Sequence, residues 1–138
     1  MSYLVDTCAL SELVKRRPEP RVVDWFDAVP PEALFVSALT LGEIRKGVEK
    51  LPAGRRRERI DTWLEIELPD WFEDRVLPID AAVADEWARR AAQSPRTMPA
   101  VDALIAATAL RHRLSIVTRN VVDFAESGVP VINPWDRI

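Results

Sequence analysis

What most constrains this chain is a steady alternation between short apolar runs and longer stretches with helical periodicity. Tyr3-Leu-Val-Asp6 is a brief apolar run ending in polar residues, the pattern of a buried strand feeding a helix. Residues 9–15 read as that helix, which Pro18 and Pro20 break. Pro20 suits the start of the next, with Val22, Val23, Trp25, Phe26 and Val29 on its apolar face, and Pro30-Pro31 end it. Leu34–Ser37 reads as a second strand. A helix over 39–51 follows, in which Leu41, Ile44, Val48 and Leu51 recur near the helical period. Pro52-Ala-Gly54 is a turn, and a further helix is expected over 55–68. Val76–Ile79 is a third strand, and Asp80 is placed to cap a helix to about Gln93. Pro99 opens a nearly all-apolar helix to about Leu110, and Ser115–Thr118 and Val129–Ile132 complete five strands. Short apolar strands alternating with helices predict an α/β sandwich, α/β/α in layers, around a mostly parallel sheet. No linker, repeat or low-complexity stretch is visible, so a single domain over 1–138 is expected.

Several classes drop out. No apolar run approaches the roughly 18–20 residues that span a bilayer, and the N-terminus lacks the pattern of a secretory signal. Cys8 is the sole cysteine and His112 the sole histidine, which leaves no internal disulfide and no structural zinc. A cytoplasmic, reducing setting is expected. The net charge of −3 argues against nonspecific coating of nucleic acid. Yet arginine dominates the cations and clusters at Lys15-Arg16-Arg17 and at Arg55-Arg56-Arg57 with Arg59. Such runs suit phosphate contacts, and equally the solvated ends of helices.

In a doubly wound sheet the ligand crevice lies beyond the carboxyl ends of the strands, at the topological switch point. Four acids attract attention there. Asp6 ends the first strand, where it also suits a helix N-cap. Asp102 sits in Ala100-Val-Asp-Ala-Leu-Ile-Ala-Ala-Thr-Ala109, a helix apolar on all sides and therefore expected to be buried. A helix dipole favours an anion in the first turn by only about 0.3–1 kcal/mol. Burial of a charge costs several kcal/mol, so a cation partner for Asp102 is expected. Glu43 lies at the edge of its helix's apolar stripe, poorly placed to pair with Arg45 or Lys46. Asp123 follows the fourth strand and reads as a loop residue capping a turn. Gathered together, four carboxylates repel, and a divalent cation removes that repulsion. All-oxygen donors select Mg²⁺ or Mn²⁺ over zinc, and such a site supports metal-assisted hydrolysis of a phosphodiester.

The same residues carry a family resemblance over essentially the whole chain. Leu4-Val-Asp-Thr7, Leu41-Gly-Glu-Ile44 followed by Gly47, Asp102-Ala-Leu-Ile-Ala-Ala-Thr108, Thr118-Arg-Asn-Val-Val-Asp-Phe124 and Asn133-Pro-Trp135 resemble the PIN-domain ribonucleases. Within them the likeness is to VapC-type toxins of bacterial toxin–antitoxin pairs, in the FitB-like branch. The resemblance implies that Asp6, Glu43, Asp102 and Asp123 form the catalytic quartet that holds Mg²⁺ or Mn²⁺. Asp6 and Asp102 would bind the principal metal, and Glu43 and Asp123 would complete the cluster or orient water. Thr7, Thr118 and Asn120 match positions that support the quartet by hydrogen bonds. Cys8 departs from the Asn or Ser usual in the family. Also implied are an RNA substrate cut internally, inhibition of growth or translation, neutralisation by a cognate antitoxin, and a homodimer. Arg16, Arg17 and Arg119 are candidate RNA-phosphate contacts.

The remaining readings are plainer. His112 ends a helix beside Arg111 and Arg113, where a surface histidine suits the dipole. The five tryptophans suit core or interface positions, with Trp63 and Trp71 as candidates for contacting a partner protein. Two rival functions stand beside the nuclease. A receiver-like phosphoacceptor domain is also small, doubly wound and Mg²⁺-dependent, and Asp80 ends a strand as an acceptor would. It wants a pair of acids after the first strand and a lysine after the last, whereas Asp6 stands alone and Asn133-Pro134 occupies the other place. A non-catalytic PIN-fold module that binds RNA or protein is the second, and a full quartet argues against it.

Overall fold

The computed structural model describes residues 1–136. Five parallel strands form one sheet in the order β3-β2-β1-β4-β5: β1 is Tyr3–Val5, β2 Leu34–Ser37, β3 Val76–Leu77, β4 Ser115–Val117 and β5 Val131–Ile132. The chain winds outward from β1 to β3, returns to the far side of β1 as β4, and winds outward again. The switch point of this doubly wound sheet therefore lies between β1 and β4, where Tyr3 is in register with Ser115 and Val5 with Val117.

Alternation along these strands builds two cores. Val5, Val117, Leu34 and Val36 face one, filled by α1 (Thr7–Glu12), α2 (Pro20–Ala28), α3 (Ala38–Glu49), α4 (Arg55–Thr62) and α5 (Leu68–Phe72). Leu4 and Ile116 face the other, filled by α7 (Ala100–His112) and α8 (Val121–Phe124), with α6 (Ala81–Gln93) packed outside α7. The strands are apolar on both sides because both sides are covered. Two start signals behave as expected, Asp80 Oδ1 accepting from the Val83 N–H at 3.0 Å and Pro20 opening α2, and Ser37 Oγ caps α3 as well, accepting from the Leu39 N–H at 3.1 Å.

Four expectations change. The first helix is Thr7–Glu12, earlier than 9–15, because it starts directly from the strand end. The helix expected over 55–68 continues to Phe72 through a π turn at Trp63–Glu67. The wider turn lies just ahead of Pro69, which has no N–H and crowds a regular i−4 carbonyl. Asp123 lies in the short helix α8 rather than in a loop. Trp63 is 8% exposed and belongs to the core, and half-buried Trp71 packs on Phe26 and Phe72, so Trp63 is not a partner contact. The exposed tryptophan is Trp87, at 38%.

Two cations lock the frame. Arg45 pairs with Glu49, Asp61 and Glu65, tying α3 to the long helix that follows. Arg75 donates to the carbonyls of Pro31, Leu34 and Trp71, and its guanidinium lies 5.9 Å from the centre of the Phe72 ring. Aromatic packing continues from there, Phe72 to Trp71 to Phe26 to Trp25 to Tyr3, with ring centres 4.8–5.8 Å apart. This series carries the packing from α5 across α2 to the central strand.

Candidate active site

Asp6 leaves the carboxyl end of β1, and its N–H still donates to Val117 on β4 at 3.0 Å. The residue is 5% exposed. Burying a carboxylate demands partners, and the nearer of two comes from across the switch point. Thr118 Oγ1 donates to Asp6 Oδ2 at 2.8 Å, and the Cys8 thiol lies 3.8 Å from the same oxygen and 3.3 Å from Thr118 Oγ1. Burial pushes the Cys8 thiol up from its ordinary range, and the Asp6 charge adds to the effect although hydrogen bonds oppose it.

The loop after β4 is drawn into the same network. The Arg119 N–H donates to Cys8 Sγ at 3.4 Å and the Asn120 N–H to Thr118 Oγ1 at 3.0 Å. Asn120 thus contributes its backbone to this network. Arg119 itself is exposed, with its guanidinium 5.0 Å from the centre of the Trp135 ring. Trp135 is held in place in turn, its backbone N–H donating to Asn133 Oδ1 at 3.0 Å.

Glu43 comes from the solvent-facing side of α3, where Thr7 Oγ1 donates to its Oε1 at 2.6 Å. Asp123 is exposed on α8. Asp102 lies in the first turn of α7 and is half-buried, less than its apolar neighbours suggest, because only the later turns of α7 are sealed. Among the described residues no lysine, arginine or histidine side chain pairs with Asp102. Its neighbours are the other three acids. Burial, then the charges of Asp6, Asp123 and Glu43 in that order, hold the Asp102 carboxyl above the ordinary carboxylate range. The other three acids thus lie within reach of the Asp102 charge.

Among the described residues no three acid, histidine or cysteine side chains close on a single point tightly enough to enclose an ion. Uncompensated like charges keep apart, and a hard divalent cation is the species that an all-oxygen, all-anionic donor set of this kind fits.

One buried acid escaped the sequence reading. Glu12 is 4% exposed at the end of α1, where it accepts from Lys15 Nζ and from the Glu19 N–H, both at 2.9 Å. Burial works to raise its pKa, but these two bonds and the charges of Lys15 and Arg119 outweigh that and hold it below the ordinary range. Glu12 thereby shapes the segment that carries exposed Arg16 and Arg17. Its only sequence signal is Lys15 three residues on, too common to single it out. Glu12→Gln is expected to destabilise the fold by about 1–2 kcal/mol at neutral pH. A depressed carboxyl pKa contributes stability above the unfolded value and loses it as pH falls through the folded value. Urea midpoints of the two proteins should therefore converge in acid. An equal gap at pH 7 and pH 3 would mean that the charge contributes nothing.

Two grooves mark the surface. One of about 660 Å³ lies between α6 and α7 beside Trp87, and none of the four acids lines it. The other, of about 460 Å³, borders Glu43 along α3.

The model of the family described as PIN domain matches residues 3–126. The chain belongs to the PIN-domain family. Curated PIN-domain relatives extend over nearly its whole length. A VapC ribonuclease of Sinorhizobium fredii, Y4jK, is 38% identical over 136 residues, covering 96% of this chain and 97% of the relative. Toxin FitB of Neisseria gonorrhoeae is 36% identical over 135 residues, again 96% of this chain and 97% of the relative. The crystal structure of FitAcB from Neisseria gonorrhoeae superposes with a TM-score of 0.90 at 36% identity, covering 98% of this chain and 99% of that one. The expected α/β fold and family thus stand. In this PIN domain Asp80, the acceptor required by a receiver-like reading, is engaged as the cap of α6. Among the described residues no helix is long and apolar enough to cross a membrane.

Proposed function

We propose that this PIN domain, over residues 1–138, is a divalent-metal-dependent endoribonuclease acting as the toxin of a type II toxin–antitoxin pair. It works in the cytoplasm, as a homodimer, until a cognate antitoxin binds it. The observation that carries the reading is the half-buried Asp102 carboxyl, facing three acids and no cation. That arrangement is unfavourable unless a cation joins it. Relatives named as a VapC ribonuclease and as toxin FitB, matched end to end, agree with it.

Asp6 and Asp102 are the residues that would hold the principal Mg²⁺ or Mn²⁺. A divalent cation bound there neutralises charge developing on the phosphodiester and acidifies the attacking water. The chain's own residues do the rest. Thr118 fixes Asp6 across the switch point, and Cys8 supports the same oxygen from α1. Thr7 orients Glu43, which with Asp123 completes the donor set or directs the water. Asn120 steadies Thr118 through its backbone. Arg119, braced on Trp135, and Arg16 and Arg17 on the segment that Glu12 shapes, take RNA phosphates. Charge reversal at all three should flatten the salt dependence of RNA binding. An unchanged slope assigns them to solvated surface.

The test is RNA cleavage by protein purified through denaturant and refolded, so that no antitoxin is retained, in Mn²⁺ or Mg²⁺ with a chelator control. Cleavage that the chelator abolishes supports the reading. Binding of RNA without cleavage under any divalent ion favours the non-catalytic module instead.

A further inference from the structure

α3 carries two glycines inside its span, Gly42 and Gly47. Glycine weakens a helix relative to alanine, so its place there asks for a reason. Packing within the chain supplies none: a Cβ at either position meets no atom within 4 Å. Both glycines instead line the open groove of about 460 Å³ that follows α3. The groove also includes Glu43 and Val101, the neighbour of Asp102, so it adjoins the acid cluster. Lys46 and Lys50 line it further along the helix. Both lysines are exposed, and among the described residues neither has an acid within ion-pair distance. Cations near a helix C-terminus suit the dipole, but that does not account for a cleared surface beside them.

We propose that this groove is the path by which a single RNA strand leaves the acid cluster, with Lys46 and Lys50 contacting phosphates beyond the scissile one. Gly42 and Gly47 keep side chains out of its way. Residues four apart on a helix are separated by about 6 Å along its axis, a spacing that lets two ammonium groups follow one sugar–phosphate backbone. Basic grooves that track a strand bind with strong salt dependence and little need for base contacts. The inference deepens the ribonuclease reading and rests on it.

The test separates the two. Binding of a fluorescent 12-nucleotide single-stranded RNA is measured in chelator, where cleavage plays no part, for the full chain and for Lys46→Ala/Lys50→Ala. Loss of two phosphate contacts lowers the log–log salt slope by about 1.4, which over one decade weakens binding about 25-fold at 0.1 M salt. In Mn²⁺ the same variant cuts a dinucleotide as well as the parent does but has a raised KM for the 12-mer. Gly47→Gln distinguishes a kept-clear surface from a structural glycine. It raises Tm by about 1–3 °C, since glutamine favours the helix, while weakening RNA binding. An unchanged slope, equal losses on dinucleotide and 12-mer, or a Gly47→Gln protein that binds RNA as the parent does would overturn the groove while leaving the ribonuclease reading intact. So would competition by polyglutamate of matched charge as strong as by RNA, which would assign the groove to an acidic protein partner. RNA binding with the expected slope but no cleavage in any divalent ion would keep the groove and overturn the nuclease.

Discussion

Asp102→Asn removes RNA cleavage, by roughly 10²-fold or more, and at the same time makes the metal-free protein harder to unfold. The two effects have one cause. A carboxylate raised in the folded state, first by burial and then by the charges of Asp6, Asp123 and Glu43, opposes folding at every pH where it is ionised. Its unfolded counterpart gives up the proton more readily, so the penalty grows as pH rises from the ordinary aspartate range, is complete above the raised folded value, and vanishes below the ordinary aspartate range. Asparagine keeps the shape and deletes the charge. The urea midpoint of the variant in chelator should thus exceed that of the parent at pH 7, and the gap should close as pH falls towards 3. Mn²⁺ inverts the order, because ligand binding to the native state stabilises only the protein that can hold it. A variant less stable than the parent in chelator, or one equally stabilised by Mn²⁺, would remove Asp102 from the metal-binding set.

Phe72→Ala is expected to cost about 3–5 kcal/mol, the range for emptying a fully buried aromatic site. Phe72 has no exposed surface, packs on Trp71 at 4.8 Å between ring centres, and underlies Arg75, which gathers the carbonyls of Pro31, Leu34 and Trp71 around the start of β2. Truncation therefore leaves a cavity and loosens the guanidinium at the same place. Phe72→Leu keeps most of the volume and should lose less than half as much. Both are read from urea unfolding. A loss under 1 kcal/mol for the alanine variant would show that α5 collapses onto the gap and is not held rigidly by the aromatic series.

The strands were legible because each is a short apolar run with a polar stop, and parallel strands buried on both faces leave that trace. Asp6 was legible for a related reason, since it follows a strand whose end a doubly wound sheet sets beside that of β4, whereas Thr118 was legible only through the family resemblance. The π turn was not legible, since Trp63–Glu67 keeps an ordinary helical pattern and only Pro69 hints at the strain. Asp102 was legible as anomalous because its own helix is apolar on all sides, but not as half-buried, since the pattern does not tell that only the later turns of α7 are sealed. Arg75 was missed because its hydrogen-bond partners are backbone carbonyls, which carry no residue identity, and Glu12 because a lysine three residues on is too common a spacing to single it out.

The order in which the chain is made has a consequence of its own. β1 sits at the centre of the sheet, between the second strand and the fourth, and its register with β4 joins residues 3–5 to residues 115–117. Synthesis delivers the N-terminal half first, at about 5–20 residues per second. Until β4 emerges, one edge of β1 has no neighbour, and Asp6 lacks both the Val117 carbonyl for its amide and the Thr118 hydroxyl for its carboxylate. Contacts that span most of a sequence also form late in folding. A nascent chain on the ribosome, surrounded by messenger and transfer RNA, therefore carries its acids apart until β4 and the residues after it have been made.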